Sequence, residues 1–292
     1  SLNGNVKIPG TVNSLGYYIF ENCTNLDTAE VYSTCGISDH MFYKCTALTK
    51  ITMGNSVPSI AGSAFYGNSS LKTINFGSKI TSIGEYAFYN CTSLTTVNVP
   101  ATVTSIGNRA FYGCKSMSTV TFAVGLTSIG TSAFAYSGIK TLKLPSTVTS
   151  IGTDAFEQCD ALTTVTLGSG LTTIPTDAFY DCDALTTFTM GNNINSIGGD
   201  AFYSCGALRT ITWSENLNSI GGWAFYNCDS LTSIVLPNSV NTIKERAFSY
   251  CDNLHYVTLG DSVSTIGSYA FYSCPDLILF KTYSENTTYS SH

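Results

Sequence analysis

The sequence predicts a repeat solenoid of about twelve coils, each 22 or 23 residues long. Three observations support this fold class: a fixed repeat period, a short strand pattern in each repeat, and a turn residue after that pattern. A Phe marks the period, with spacings of 23 residues in nine of eleven intervals and 22 in the other two. A period of this length is typical of stacked units that bury their apolar side chains against their neighbours. The marker residues are Phe20, Phe42, Phe65, Phe88, Phe111, Phe134, Phe156, Phe179, Phe202, Phe225, Phe248 and Phe271.

The first element of each coil is a short strand, which the repeat at residues 83–105 shows clearly. Leu94 is followed by Thr-Thr-Val-Asn-Val, in which apolar and polar residues alternate. This alternation predicts a strand with Val97 and Val99 turned inward. Pro100 ends the strand, and other repeats have a Gly at the same position. Identical short strands in successive coils predict a parallel ladder.

Two further elements complete the coil. Val103 and Ile106 are spaced as the inward residues of a second, more irregular extended segment. Residues 108–114 are long enough for about one helical or 3₁₀ turn, and we expect Phe111 and Cys114 to be buried there. The coil therefore combines short parallel strands with a one-turn helical or 3₁₀ segment.

One solenoid domain is predicted over residues 1–280. Residues 1–19 match only part of the repeat, and the polar C-terminal tail, residues 281–292, carries no further repeat. Although 292 residues exceed the usual size of a single core, an array grows by stacking and needs no second core.

Composition excludes several classes of partner. Charged residues make up 11% of the chain against about 25% in ordinary globular proteins, and the net charge is −6 without a basic cluster. Nucleic acid is therefore not an expected partner. No segment approaches the roughly 20 apolar residues of a membrane span, so no membrane insertion is predicted for this segment. Abundant Thr, Ser, Asn and Tyr favour an extracellular location, with a signal peptide and anchor outside the given chain; a cytosolic protein is the alternative.

The repeat resembles a known family. The string I-G-x-x-A-F-x-x-C-x-x-L-x-x-V-x-L-P, found here from about Leu15 to Phe280, is similar to the BspA-like leucine-rich repeat. The resemblance implies a curved, right-handed leucine-rich-repeat superhelix, usually secreted or attached to the cell surface. It also implies a role in adhesion to host proteins or other microbes. It implies no common binding site, so no functional residue is transferred.

The eleven cysteines are interpreted as structural. Because ten occupy one repeat position, they are predicted to form an interior ladder and to pack as small apolar groups. Disulfides between neighbouring rungs agree with the rung distance, but parallel side-chain directions oppose the required dihedral angle. Cys35 is the exception to the ladder. Without ligand pairs at short spacing, the cysteines predict no metal site.

No catalytic residues and no cofactor are predicted, so the chain is not expected to be an enzyme. His40, His255 and His292 lie in different repeats or in the tail, and no hydrolase, metalloprotease or phosphate-binding motif is present. Four carboxylates follow ladder cysteines and form either a solvated edge, the favoured interpretation, or a cation-binding row: Asp160, Asp183, Asp229 and Asp252.

The outward face of the strand is the predicted binding surface. Its middle repeats read Thr-x-Thr, and a Tyr takes the first outward position two repeats later. Thr is also favoured on any half-exposed sheet, so the rows could simply be structural. A regular Thr lattice also resembles the ice-binding face of β-solenoid antifreeze proteins, a remote alternative. The candidate contact residues are Thr164, Thr166, Thr187, Thr189, Thr210, Thr212 and Tyr256.

A ridge of tyrosines is the alternative surface. Tyr180, Tyr203 and Tyr226 each follow the repeat Phe and are expected to point sideways or outward. They could serve an interface or stack on one another for stability, and stacking is favoured. Trp213 takes an inward strand position that is normally aliphatic, which predicts a packing role in the core.

These observations predict a non-enzymatic, adhesin-like binding protein that is secreted or on a cell surface. Its partner would be a host or microbial surface protein or glycan, contacted over an extended repeat surface. The chain is expected to be a monomer. The alternative is a structural spacer or stalk that presents another domain and binds nothing itself.

Overall fold

The computed structural model describes residues 4–281 and 288–289, which form strands and turns without a helix. Backbone contacts group the chain into two compact units, Ser1–Lys140 and Thr141–His292. Both are parallel β-solenoids whose coils repeat as the Phe spacing predicts. The prediction of a single domain remains a prediction.

The first unit contains ten strands in its described residues, 4–140. Its longer strands alternate with strands of two residues from β3 onward. The bounds are β1 (Gly4–Ile8), β2 (Leu26–Val31), β3 (Lys50–Met53), β4 (Ser59–Ile60), β5 (Thr73–Asn75), β6 (Ser82–Ile83), β7 (Thr96–Val99), β8 (Ser105–Ile106), β9 (Thr119–Phe122) and β10 (Ser128–Ile129).

The second unit contains fourteen strands in the described residues, and the same alternation continues. The bounds are β11 (Thr141–Lys143), β12 (Ser150–Ile151), β13 (Thr164–Thr166), β14 (Thr173–Ile174), β15 (Thr187–Thr189), β16 (Ser196–Ile197), β17 (Thr210–Thr212), β18 (Ser219–Ile220), β19 (Ser233–Val235), β20 (Thr242–Ile243), β21 (Tyr256–Thr258), β22 (Thr265–Ile266), β23 (Leu279–Lys281) and β24 (Thr288–Tyr289).

The strands form two kinds of parallel ladder. The first-strand ladders are β1-β2-β3-β5 and β7-β9 in the first unit, and β11-β13-β15-β17 and β19-β21-β23 in the second. The second-strand ladders are β4-β6-β8-β10 and β14-β16-β18-β20-β22-β24. The sequence predicts no repeat in the tail, but β24 pairs with β22 one rung further on, Thr288 facing Thr265. The other tail residues, 282–287 and 290–292, lie outside the described residues.

The third side of each coil is not helical, so the predicted one-turn helical or 3₁₀ segment is wrong. Between Arg109 and Cys114, alternate N–H groups bond within the coil and to the next coil. Phe111 donates to the Ala133 carbonyl at 2.8 Å, whereas Tyr112 donates to Arg109 at 3.2 Å. Left-handed backbone at Arg109 (φ 51°) and Gly113 (φ 70°) produces this alternation. The segment therefore bonds one coil to the next, as a strand does.

Stacked Phe rings fill the core of both units. Phe88 and Phe111 lie 5.1 Å apart at 6°, and Phe202 and Phe225 lie 4.9 Å apart at 7°. The repeat Phe side chains from Phe42 to Phe248 are fully buried. Because each ring covers its neighbours at about the strand spacing, one column of rings runs along each unit. This confirms the core predicted from the period.

Candidate binding site

The predicted threonine rows exist and are in register. Cα pairing aligns Thr164, Thr187 and Thr210 in one row and the residues two positions later in a second. Thr210 and Thr212 on β17 are exposed, whereas the threonines on β13 and β15 are half-buried. The ladder thus presents two short rows of hydroxyl groups that become most accessible at β17.

The ladder stops beside β17. Among the described residues no pairing joins β17 to β19, although both strands pair on their other sides. Ile211, the inward residue of β17, is half-buried, whereas Val165 and Phe188 at the same repeat position are fully buried. The coils are therefore separated on the strand side at this point. The second strands β18 and β20 remain paired, which limits the opening to one side.

An aromatic residue accompanies the opening. Trp213 occupies the second inward position of the strand segment, where Leu167 and Leu236 are buried. Its ring lies 5.6 Å from that of Phe225 on the third side of the same coil, at 73°. Neighbouring rungs are spaced by about 4.8 Å, and the indole ring is wider than this spacing. We infer that the ring holds the two strands apart.

The first unit repeats this relationship. Its ladder stops between β5 and β7, where Phe76 takes the position equivalent to Trp213. The Phe76 ring lies 6.4 Å from Phe88 on the third side of its coil, at 83°. Ile74 on β5 is half-buried, as Ile211 is on β17. By contrast, the aromatic Phe188 at the first inward position leaves its ladder intact. The position of the aromatic residue, not its presence, determines the opening.

A cleft of about 250 Å³ lies at the opening beside β17. Its walls combine apolar side chains, two hydroxyl groups and one cation. They are formed by Arg209, Thr210, Ile211, Trp213, Leu231, Ser233 and Val235. A second cavity of about 250 Å³ shares Arg209 and is otherwise lined by Ser230, Thr232, Asn253 and His255. Arg209 thus lies between two adjoining spaces, each suited to a small ligand.

The charge of these cavities differs from that of the chain. Neither lining includes an Asp or Glu, although the chain has 19 acidic and 13 basic residues. The exposed Arg209 guanidinium has no hydrogen-bond or ion-pair partner within the described part of the chain. His255 contacts the second cavity and directs Nε2 toward Asp276 at 3.8 Å. The local potential is therefore positive at Arg209.

The structure places Tyr256 on β21 with its side chain half exposed, on the other side of the cleft from the threonine rows. Its Cα partner on β19 is Ser233, which lines the cleft. Of the predicted contact residues, Thr210 reaches the cleft wall. Trp213, predicted to be a core residue, is half-buried and contributes to both the core and the cleft.

The tyrosine ridge is a column of stacked rings. Tyr203 lies 4.9 Å from Tyr180 and 4.7 Å from Tyr226, with interplanar angles of 7° and 9°. All three are half-buried, and burial raises the pKa of each. Since the ring faces cover one another, their edges and hydroxyl groups are what remains for a partner.

The ladder cysteines have a role that the sequence did not indicate. Eight ladder thiols donate to the carbonyl of the repeat Phe in the preceding coil, as in Cys205 to Phe179 at 3.1 Å and Cys228 to Phe202 at 3.2 Å. Burial raises the pKa of Cys114 to about 12. The eleven cysteines, which all lie in the described residues, form no disulfide, and eight of them are buried. The ladder is therefore a column of weak hydrogen-bond donors as well as apolar groups.

Arg209 was missed by the sequence analysis. Six of the twelve repeats have Thr or Ser at its position, and Lys72 and Lys140 are also basic there. A comparison of repeats position by position shows Arg209 and His255 as departures from Thr or Ser. The same comparison shows Trp213 as an aromatic residue at a normally aliphatic position, but it does not show that the ladder opens beside it.

Residues 4–281 and 288–289 contain neither a candidate metal cluster nor a helix that could span a membrane. These residues contain no group of three or more His, Cys, Asp or Glu side chains that could hold a metal ion. In the same residues there is no helix of the length and apolarity that a membrane crossing requires.

The strands and their pairing define a parallel β-solenoid repeat protein with a cleft on the strand side of its second unit. A family model described as BspA type leucine rich repeat region (6 copies) matches residues 2–102, 35–163, 81–209 and 149–278. These matches cover nearly the whole chain. The chain therefore belongs to the BspA-type leucine-rich repeat family, as the resemblance implies.

Solved bacterial structures share the fold. A leucine-rich repeat protein from Bacteroides ovatus matches with a TM-score of 0.63 and 24% identity, over 94% of this chain and 85% of that one. A leucine rich cell surface protein from Faecalibacterium prausnitzii matches with a TM-score of 0.52 and 27% identity, over 99% and 91%. The pneumococcal vaccine antigen PcpA matches with a TM-score of 0.59 and 23% identity, over 94% and 71%. No curated protein matches the sequence.

Proposed function

We propose that the chain is a non-enzymatic, adhesin-like binding protein displayed outside a cell. It would hold a host or microbial surface protein or glycan on the strand side of its second unit. The cleft beside β17, next to the most exposed threonines, is the observation that carries the proposal. Family membership and similarity to a leucine rich cell surface protein support the location.

The strand side suits distributed contact. Thr187, Thr189 and Thr210 present neutral hydroxyl groups in register, so a partner can form many hydrogen bonds without first displacing charges. Affinity in such a surface comes from area and shape together with a few central anchors. Trp213 and Arg209 are the residue types that most often act as anchors. The strand side therefore combines an extended polar surface with one concave anchor site.

Binding of the purified chain to an array of extracellular-matrix proteins and glycans tests the proposal. One variant carries Thr187→Lys, Thr189→Lys and Thr210→Lys. Its control carries Thr172→Lys, Asn195→Lys and Asn218→Lys, which add the same charge at exposed positions away from the first-strand ladder.

Binding by the parent and the control that the strand variant loses is the expected result. Equal binding by both variants would place the site elsewhere, with the edges of the Tyr180–Tyr203–Tyr226 column as the next surface. No binding by the parent would overturn the proposal and favour a structural spacer.

A further inference from the structure

We propose that the cleft beside β17 recognises a saccharide unit that bears a carboxylate, with Arg209 binding the carboxylate and Trp213 packing on the sugar ring. This inference rests on the proposed binding function and specifies its ligand class. Sialic acids and uronic acids both present this chemistry.

Arg209 indicates the anion. Its guanidinium is exposed, has no partner among the described residues, and lies between two cavities whose linings lack carboxylates. A guanidinium binds a carboxylate through two parallel hydrogen bonds, which a Lys cannot reproduce. In a chain with net charge −6, an unpaired cation at the junction of two cavities marks a place for an external anion.

Trp213 and its neighbours indicate a ligand that contains a sugar ring. The half-buried indole is flanked by Leu231 and by Val235, which is 64% exposed. A sugar ring has apolar C–H faces that pack on such a surface, while its hydroxyl groups stay directed to the sides. The apolar wall is thus complementary to a sugar face.

The polar groups of the walls indicate hydroxyl groups on the ligand. The Thr210 and Ser233 hydroxyls, and that of Thr232 in the second cavity, form no hydrogen bond to the described residues. Neutral donors and acceptors of this kind match sugar hydroxyl groups. The Asn253 side chain donates to the Asp229 carbonyl at 2.8 Å, which holds its amide in place beside the second cavity.

The size of the cavities limits the ligand. Each holds about 250 Å³, below the roughly 300 Å³ at which sites for drug-sized ligands begin. One ring therefore fits each cavity, and the shared Arg209 would meet a carboxylate at the link between two rings. A disaccharide end group satisfies both conditions.

Titration of the whole chain with small probes, monitored by calorimetry or NMR, tests the inference. The probes are sialyllactose, a uronic acid disaccharide, neutral lactose and an oligoglutamate peptide. We expect at least one acidic saccharide to bind tenfold or more tighter than lactose. The two acidic probes distinguish the two sources of the carboxylate.

The variants separate charge from geometry. Arg209→Gln should remove the preference for the acidic saccharide, and Arg209→Lys should retain only part of that preference. Lys244→Gln, which removes one exposed cation elsewhere, should leave the preference intact. Trp213→Leu should weaken binding of acidic and neutral sugars alike. The Leu occurs at equivalent positions of other coils, so this variant is expected to fold.

Three outcomes would overturn the inference: equal affinity for sialyllactose and lactose, binding of the peptide but of no saccharide, or no binding of any probe at concentrations up to about 10 mM. If one of these outcomes occurs while the parent still binds the array and the strand-face Lys variant does not, the proposed function stands. In that case only the proposed ligand class is wrong. If the parent does not bind to the array at all, the proposed binding function is wrong as well.

Discussion

The indole of Trp213 lies edge-on to the ring of Phe225 on the third side of the same coil, with 5.6 Å between ring centroids. The ladder of first strands is interrupted at the same place, between β17 and β19. Phe76 and Phe88 repeat the arrangement in the first unit. At both of these interruptions an aromatic residue occupies the second inward position, and beside β17 the interruption forms a cleft.

The same opening should be transferable to another rung. Leu236→Trp places an indole at the second inward position of the next coil, so β19 should separate from β21. The Tyr256 amide, which donates to the Thr232 carbonyl at 3.3 Å, should then exchange with solvent at least tenfold faster in hydrogen-exchange NMR. Ile234→Phe is the matched control, because Phe188 at that first position leaves its ladder closed. Equal exchange in both variants would contradict this explanation.

Asn68 is a weak point in the cysteine column. Its side chain is fully buried at a ladder position, and neither amide atom has a hydrogen-bond partner within the described residues. Leaving a buried polar group unpaired costs about 1–3 kcal/mol. Asn68→Cys should therefore raise the free energy of unfolding by about that amount, as measured by urea denaturation. Cys114→Asn, the reverse change, should lower it. Unchanged stability in both would mean that the column does not select for a thiol.

The Phe column should carry much of the core energy. Phe179 is fully buried, stacks on Phe156 and Phe202, and contacts Phe188 edge-on at 5.1 Å. Phe179→Ala should lower the free energy of unfolding by about 3–5 kcal/mol. Retention of full stability would show that the ring is not a core residue.

A row of carboxylates should make stability depend on pH. Burial, and then the charges of Asp200 and Asp154, raise the pKa of Asp177 from 3.8 to about 6. The folded state therefore binds the Asp177 proton more tightly than the unfolded chain does. The contribution of the protonated carboxyl group to stability is fully present below about pH 4 and is lost as pH rises to about 6.

Asp177→Asn should accordingly raise the melting temperature at pH 7.5 and have little effect at pH 4. Asn also tolerates the left-handed backbone at this position (φ 55°). Asp183→Asn, which removes an exposed carboxylate from the same coil, controls for net charge. A difference in melting temperature between Asp177→Asn and the parent that is the same from pH 4 to 7.5 would contradict the raised pKa of Asp177.

Much of the fold follows from the sequence because it depends on periodicity. The period places the Phe column, the cysteine column and the threonine rows at repeat positions that the structure confirms. Parallel pairing of Thr187 with Thr210 requires only that successive coils keep one register. These features depend on which face a residue occupies.

The turn geometry and the cleft do not follow in this way. Left-handed backbone occurs at Trp223, Arg109 and Tyr86, residue types that have no preference for it. Coil-to-coil bonding stabilises that conformation, and no local pattern reports such bonding. Likewise, the pattern turns Trp213 inward but does not show that its ring lies toward the next coil. Both features depend on distances between coils.

Hydrogen exchange in Trp213→Leu tests most directly whether this indole creates the cleft. With Leu in place, β17 and β19 should pair as β15 and β17 do, where the Thr210 amide donates to Thr186 at 3.1 Å. The Ser233 amide should then donate to the Arg209 carbonyl and become protected from exchange by tenfold or more. Unchanged exchange at Ser233 in a folded variant would show that the strands are held apart by something other than Trp213.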